Sequence, residues 1–209
     1  MHHLTSGEVK LGEGDTLCKH FLLPHLKTYH ESFPNIKIQV FNRTTTETIT
    51  LLKEGKIDIG IVNLPISDLQ IDIQESITIQ DRFIVGEKYK YLSEEVVSFE
   101  KLLDFPIILL EKDGQTRTCI DEFASENGFI IKPEIELGSL DLLVEFTRNG
   151  FGIACVISEF IKAELSLGNL FEIQLEKPIP SRKVGIIKRK STPLSVAANH
   201  LHNMLVATN

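Results

Sequence analysis

"VFNRTTTETITLLKEGKIDIGIV", residues 40–62, decides the fold. It joins the end of a β-branched run to a helix-period run that closes at Gly55, and then to a second apolar run, 56–62. Thr44-x-x-Glu47 has the spacing of a capping box, with Thr44 as N-cap and Glu47 at the third helical position. That leaves Thr45 and Thr46 in the first turn with hydroxyls directed outward. Strand, capped helix, glycine stop and strand form a βαβ unit, which requires a parallel sheet with right-handed crossovers.

The pattern extends in both directions. Upstream, "EVKLG" (8–12) reads as a strand, and Leu17, Phe21, Leu22, Leu26 and Tyr29 recur at helical spacing from Thr16 to Ser32, with Pro34 and the strand "IKIQVF" (36–41) behind them. Downstream the same order returns. There is a strand at 106–111, a helix at 116–127 stopped by Gly128, a strand at 132–138, a helix at 140–149 stopped by Gly150, a strand at 152–158 and a helix at 159–167 before Gly168. Strands at 81–89 and 182–190 carry the chain out of each half, and a helix at 192–208 presents Leu194, Ala197, Ala198, Leu201 and Leu205 on one face. The expected class is α/β: two Rossmann-like lobes with mixed, mainly parallel sheets joined by two crossover strands. Lobe I takes residues 1–84 and 187–209, and lobe II takes 85–186.

The 209 residues suffice for two such lobes, and folding at this size buries roughly 70% of the unfolded surface without help from disulfide or metal. Three cysteines, Cys18, Cys119 and Cys155, with no CxxC spacing fit a reducing compartment and no zinc site. A formal net charge of −7 repels DNA and anionic membrane. No apolar run reaches the ~18 residues of a membrane span, and the first residues lack the apolar core of a secretory signal. A cytoplasmic location follows as the expectation. No GxSxG, P-loop or GxGxxG is present, and His20, His25 and His30 have no i,i+4 pair, so neither an enzyme, nor a bound cofactor, nor a metal is expected.

Hydroxyls stand at every strand-to-helix turn: Thr16, Thr44 to Thr46, Thr116 and Ser139. In an open α/β sheet ligands bind beyond the carboxyl ends of the strands. Helix N-termini offer unpaired N–H groups and a partial positive charge there. Each hydroxyl alone is an ordinary N-cap; together they suit a small anion or carboxylate. Arg43, Arg117 and Arg148 are candidate carboxylate partners, with a surface ion pair as the simpler account of each. Cys18, in a helix's first turn, is a candidate low-pKa thiol against a plain packing role.

The segments "GEVKLG…TLCKHFLLPHLKTYHESFPNIKIQV", "TTETITLLKEGKIDIGIV", "EKDGQTRTCIDEF" and "LGSLDLLVEFTRNGFGIACV" follow one another in the order of the effector-binding domain of LysR-type transcriptional regulators, which the chain resembles over residues 4–206. The resemblance implies two lobes similar to type 2 periplasmic binding proteins, with a small anionic inducer between them. It implies effector contacts from Thr16, Leu17 and Cys18, from Thr44, Thr45 and Thr46, from Gln115 with Thr116, and from Ser139 with Leu140, while Ile153 resembles an apolar wall. Gln115, where serine is frequent, and Cys18 depart from the family pattern. "HHLTSG" resembles the end of a linker helix, so DNA would be reached only through a winged helix-turn-helix that these residues do not contain. A homodimer or tetramer is implied, with the helix at 17–31 beside a partner's helix at 140–149. A stand-alone solute-binding protein is the alternative on the same fold, and a small metabolic enzyme is a third.

Overall fold

A computed structural model describes residues 6–112 and 114–207. The "HHLTSG" linker-end expectation falls on residues 2–7, of which 2–5 lie outside the described residues, and Gly7 belongs to a strand.

The chain opens with β1 (Gly7–Glu13), α1 (Asp15–Leu17), a π-helical turn (Cys18–Leu22) and α2 (Leu23–Ser32). Then come β2 (Ile36–Asn42), α3 (Thr45–Lys53), β3 (Ile59–Asn63) and β4 (Ile71–Ile79). The helix expected over 16–32 is thus one element with a widened turn. Pro24 explains the widening: it has no N–H for the carbonyl of His20, and the Leu23 N–H reaches back to the Cys18 carbonyl instead.

After β5 (Asp81–Gly86) and a 3₁₀ stretch (Glu87–Ser93), the second unit runs through β6 (Val96–Val97), α4 (Phe99–Leu102), β7 (Ile107–Leu110), α5 (Gln115–Glu126), β8 (Ile135–Leu137), α6 (Leu140–Arg148) and β9 (Ile153–Ile157). A 3₁₀ turn (Ser158–Phe160), α7 (Lys162–Ser166), β10 (Leu170–Glu172) and β11 (Gln174–Leu175) follow. The helix expected over 159–167 is therefore broken in two. The chain ends with β12 (Arg182–Arg189) and α8 (Val196–Val206).

The chain divides into unit 1, residues 1–78 with 182–209, and unit 2, residues 79–181. The first boundary falls six residues before the expected 84/85 and the second five before 186/187. Pairing explains both shifts. Strand β5 lies antiparallel to β9, Phe83 opposite Cys155, and so belongs to unit 2 from its start. Strand β12 lies antiparallel to β3, Ile186 opposite Ile61, and so belongs to unit 1 from its start.

Each unit holds a five-stranded mixed sheet, in the order β2-β1-β3-β12-β4 in unit 1 and β10-β5-β9-β7-β8 in unit 2. In unit 1, β1 runs parallel to β2 and β3 and buries Val9 and Leu11 completely. The Tyr29 hydroxyl donates to the Ala197 carbonyl at 2.9 Å, tying α2 to α8. Helix α3 closes the other face with Leu52 over Ile57, Val62 and Ile187. In unit 2, Phe83, Phe99, Phe123 and Ile153 fill one face of the sheet, and Leu140, Leu143 and Val144 of α6 fill the other.

The expected helix stops carry left-handed backbone: Gly55, Gly128, Gly150 and Gly168 have φ of 72, 84, 75 and 74°. Gly152 has a different reason to be glycine. A Cβ there would lie 2.4 Å from the Pro106 carbonyl oxygen, at the point where the Ile153 N–H donates to that same oxygen. Gly152→Ala is expected to destabilise unit 2 by about 1–3 kcal/mol, the usual range for forced overpacking. A lower urea midpoint at unchanged slope is the check.

Candidate functional site

The two helix starts of unit 1 open side by side. Glu13 and Asn42, the last residues of β1 and β2, are register partners, and the Arg43 N–H donates to the Glu13 carbonyl at 2.7 Å. Helix α1 follows Gly14, which supplies no side-chain cap. The first amide of its run to bond back is Cys18, donating to the Gly14 carbonyl at 2.9 Å. The amides of Asp15, Thr16 and Leu17 therefore have no helical acceptor.

Helix α3 is capped as its spacing predicts. The Glu47 N–H donates to Thr44 Oγ1 at 3.3 Å, and the Thr44 N–H and Oγ1–H both donate to Glu47 Oε2, at 3.0 and 2.8 Å. The amides of Thr45 and Thr46 remain. The hydroxyls of Thr16, Thr45 and Thr46 have no hydrogen-bond partner among the described residues, and Thr46 is exposed while the other two are half-buried.

Unit 2 repeats the arrangement. Leu110 and Leu137 are register partners at the carboxyl ends of β7 and β8, and the Glu111 N–H donates to the Leu137 carbonyl at 3.1 Å. Helix α5 starts after Gly114 without a side-chain cap, and α6 starts at Ser139, whose Oγ accepts from the Leu142 N–H at 3.4 Å. Gln115, Thr116, Ser139 and Leu140 thus gather at one end of the sheet. Gln115 turns its amide to Cys119 Sγ at 3.8 Å. Leu17 and Leu140 bury their side chains in their own units, so only their backbone faces the helix starts.

Ile153 is a correction. It opens β9 level with Ile107, at the amino end of the parallel strands and opposite the helix starts, and it is 0% exposed among core residues. It packs the sheet and forms no wall beside the helix starts. Arg117 is likewise committed: 2% exposed, it donates to Asp121 Oδ2 (3.0 Å), Glu136 Oε2 (2.9 Å) and the Leu110 carbonyl (2.9 Å), locking α5 to β7 and β8. Arg148 is held by Glu145 and Glu164.

Sequence reasoning missed Glu13. It ends β1 fully buried, and neither carboxylate oxygen has a hydrogen-bond partner among the described residues. Burial pushes its carboxyl up to about 8; the neighbouring Cys18 thiol offsets part of this without completing a geometric hydrogen bond, and the negative charge of Asp15 adds to the rise. Burial, then the charge of Glu13, pushes the Cys18 thiol up to about 12. This reverses the low-pKa expectation for Cys18, because desolvation and a neighbouring carboxylate outweigh the helix start. The signal in the sequence was faint, since Glu13 ends a strand, "GEVKLGE", that carries charge at Glu8 and Lys10 as well. With Cys119 and Cys155 replaced by Ala, Cys18 is expected to react with a disulfide reagent at pH 7.5 roughly tenfold or more slowly than free cysteine, since the thiolate is the nucleophile. A rate at or above that of free cysteine contradicts the buried pairing.

The LysR substrate binding domain family matches residues 2–209. The HTH-type transcriptional activator CmpR of Synechocystis sp. is 25% identical over 192 residues, 92% of this chain and 63% of the relative. The chain therefore spans under two thirds of that relative's length. The cofactor-binding domain of the Cbl transcriptional regulator superimposes with a TM-score of 0.85 at 19% identity, covering 100% of this chain and 92% of the other. The Synechocystis CcmR regulatory domain in complex with 2-PG gives 0.85 at 18% identity and 97% of each chain. The BenM effector-binding domain with its effector benzoate gives 0.76 at 23% identity, covering 95% and 90%. Among the described residues no helix is long and apolar enough to cross a membrane, and no cluster of potential metal ligands occurs.

Proposed function

Since the chain belongs to the LysR substrate binding domain family, we propose that it is the inducer-sensing domain of a transcriptional regulator and binds a small anionic metabolite through helix starts at the carboxyl ends of its strands. The observation that carries this reading is the pair of adjacent helix starts at the carboxyl edge of unit 1, with the Thr16, Thr45 and Thr46 hydroxyls beside unpartnered first-turn amides. Amides and hydroxyls without acceptors demand one, and an anion satisfies several at once. Two relatives of the fold hold 2-PG and benzoate, both anions, which supports the same ligand class here.

Glu47 sets a limit on that ligand. Its carboxylate already occupies the Thr44 N–H, and the amide and hydroxyl of Thr44 hold its pKa below the usual carboxylate range. An effector therefore engages α3 through Thr45 and Thr46 and not through the cap. Unit 2 offers donors of the same kind, at the uncapped start of α5 and at the Ser139 hydroxyl, which accepts from Leu142 and keeps its proton to donate.

Binding would bias the arrangement of the lobes and, through a dimer or tetramer, the spacing of DNA-binding modules. The exposed Leu23 of α2 and Leu142 of α6 lie on the helices proposed for the dimer contact. The protein acts as a sensor and not as an enzyme, in the cytoplasm where its inducer and promoter meet.

The test has two steps: identify the copurifying ligand by native mass spectrometry, then titrate it into Thr16→Ala/Thr45→Ala. Loss of two hydroxyl contacts to a charged group is expected to weaken binding by about tenfold or more with an unchanged circular dichroism spectrum. Wild-type affinity in the double variant refutes the assignment. Sedimentation at micromolar concentration is expected to give a dimer or larger species, and a clean monomer counts against the interface.

A further inference from the structure

The site just described leaves one buried group unused, and it stands directly behind the α1 helix start. Glu13 is 0% exposed, and both carboxylate oxygens lack a partner among the described residues. Its backbone carbonyl is taken by the Arg43 N–H, and its strand ends one residue before the Gly14 N-cap. Among the described residues, no cation is paired with a carboxylate at this point. The titratable groups acting on it are Cys18, on the π-helical turn, and Asp15, on α1, and both are acids.

Among the described residues, no charged group of the other elements of unit 1 is among those acting on it. On β2 the register partner is the neutral Asn42, and the Arg43 guanidinium donates to the Asn42 carbonyl at 2.7 Å. On α3, Glu47 closes on Thr44. On α2, His25 Nδ1 bonds the Phe21 carbonyl at 2.8 Å. On α8, His200 packs against Phe33, and His202 lies in the field of Lys188 and Asp72.

An ionised Glu13 would place a whole negative charge, unscreened by water, behind a helix start whose own charge is about half a unit positive. The carboxylate charge is the larger and the more deeply buried, so it decides the sign of the field that an arriving anion meets. A protonated Glu13 removes that buried charge and leaves the amides of the helix start with only the exposed Asp15 carboxylate beside them, where water screens it.

We propose that the unit 1 half-site accepts its anion only while Glu13 carries a proton, which makes the proton a co-ligand of the effector. Glu13 is a positioning residue in this scheme: it touches no ligand and acts through the α1 start. The inference rests on the anion-binding reading above. It deepens that reading by assigning the effector a net negative charge at α1 and a dependence on pH.

Sulfate is the probe, because its charge is constant across the range. Backbone amide shifts of residues 15–18 report its binding to the full 209-residue chain, in wild type and Glu13→Gln at pH 7 and pH 9. With the Glu13 carboxyl raised to about 8, the wild-type apparent Kd is expected to rise about tenfold from pH 7 to pH 9, while Glu13→Gln keeps the pH 7 affinity at both. A wild-type Kd that does not change with pH while sulfate still moves these amides overturns the proton linkage and leaves the anion site standing. The same holds for an undiminished pH dependence in Glu13→Gln. Sulfate that moves none of these amides in either protein overturns the anion site, and the linkage with it.

Stability without ligand gives a second reading. The folded pKa is raised, so the proton's contribution is complete below the unfolded value of about 4.3 and is lost as pH rises to about 8. Glu13→Gln is therefore expected to have the higher Tm at pH 8 and no advantage near pH 4.5; equal Tm values at both overturn the proposal. Should the variant fail to fold, the side-chain carboxyl shift of isotope-labelled Glu13 in the wild type decides: a midpoint near the ordinary glutamate value overturns it.

Discussion

The backbone amides at the starts of α1, α3, α5 and α6 constrain everything else in this molecule. A parallel strand followed by a right-handed crossover obliges the next helix to begin at the strand's carboxyl end. Its first amides then have no acceptor. In unit 1 the register of Glu13 with Asn42 sets two such starts next to each other, and in unit 2 the register of Leu110 with Leu137 does the same. Two other candidate ligand groups are already committed. Arg117 is consumed by Asp121, Glu136 and Leu110, and Thr44 by Glu47. The remaining amides and hydroxyls are concentrated where the sheets end, which is why a small anion is the ligand class that fits.

A field built from helix ends is weak, worth ~0.3–1 kcal/mol per charge at an exposed start. It is easily reversed by a buried charge nearby, and Glu13 becomes such a charge once it loses its proton, which burial delays to about pH 8. Cys18 shows the same local logic. A thiol near a helix start is ordinarily acidified, yet here its own burial, and after it the Glu13 carboxylate, push it the other way.

Much of this was legible in the sequence because the signals are local. The alternation of period two and period 3.6 gave the element order. Thr44-x-x-Glu47 gave a capping box that forms as its spacing requires. Four glycines marked helix ends and adopt the left-handed backbone that those ends need. What was not legible depends on pairing across the chain. The lobe boundaries lie earlier than expected because β5 and β12 join sheets whose other strands are far away in sequence. Ile153 reads as a site residue by its place in "NGFGIA", and only the register with Ile107 puts it at the far end of the sheet. "IDIQESITI" forms β4, though its interrupted alternation hides it. Glu13 looks like a surface charge until the strand, the π-helical turn and α1 close around it.

The most direct test of the account is a crystal structure with the copurified effector bound. An anionic group within about 2.7–3.2 Å of a first-turn amide at one of these helix starts is the result predicted. A ligand held away from these helix starts, or one that presents no negative charge to them, would contradict it.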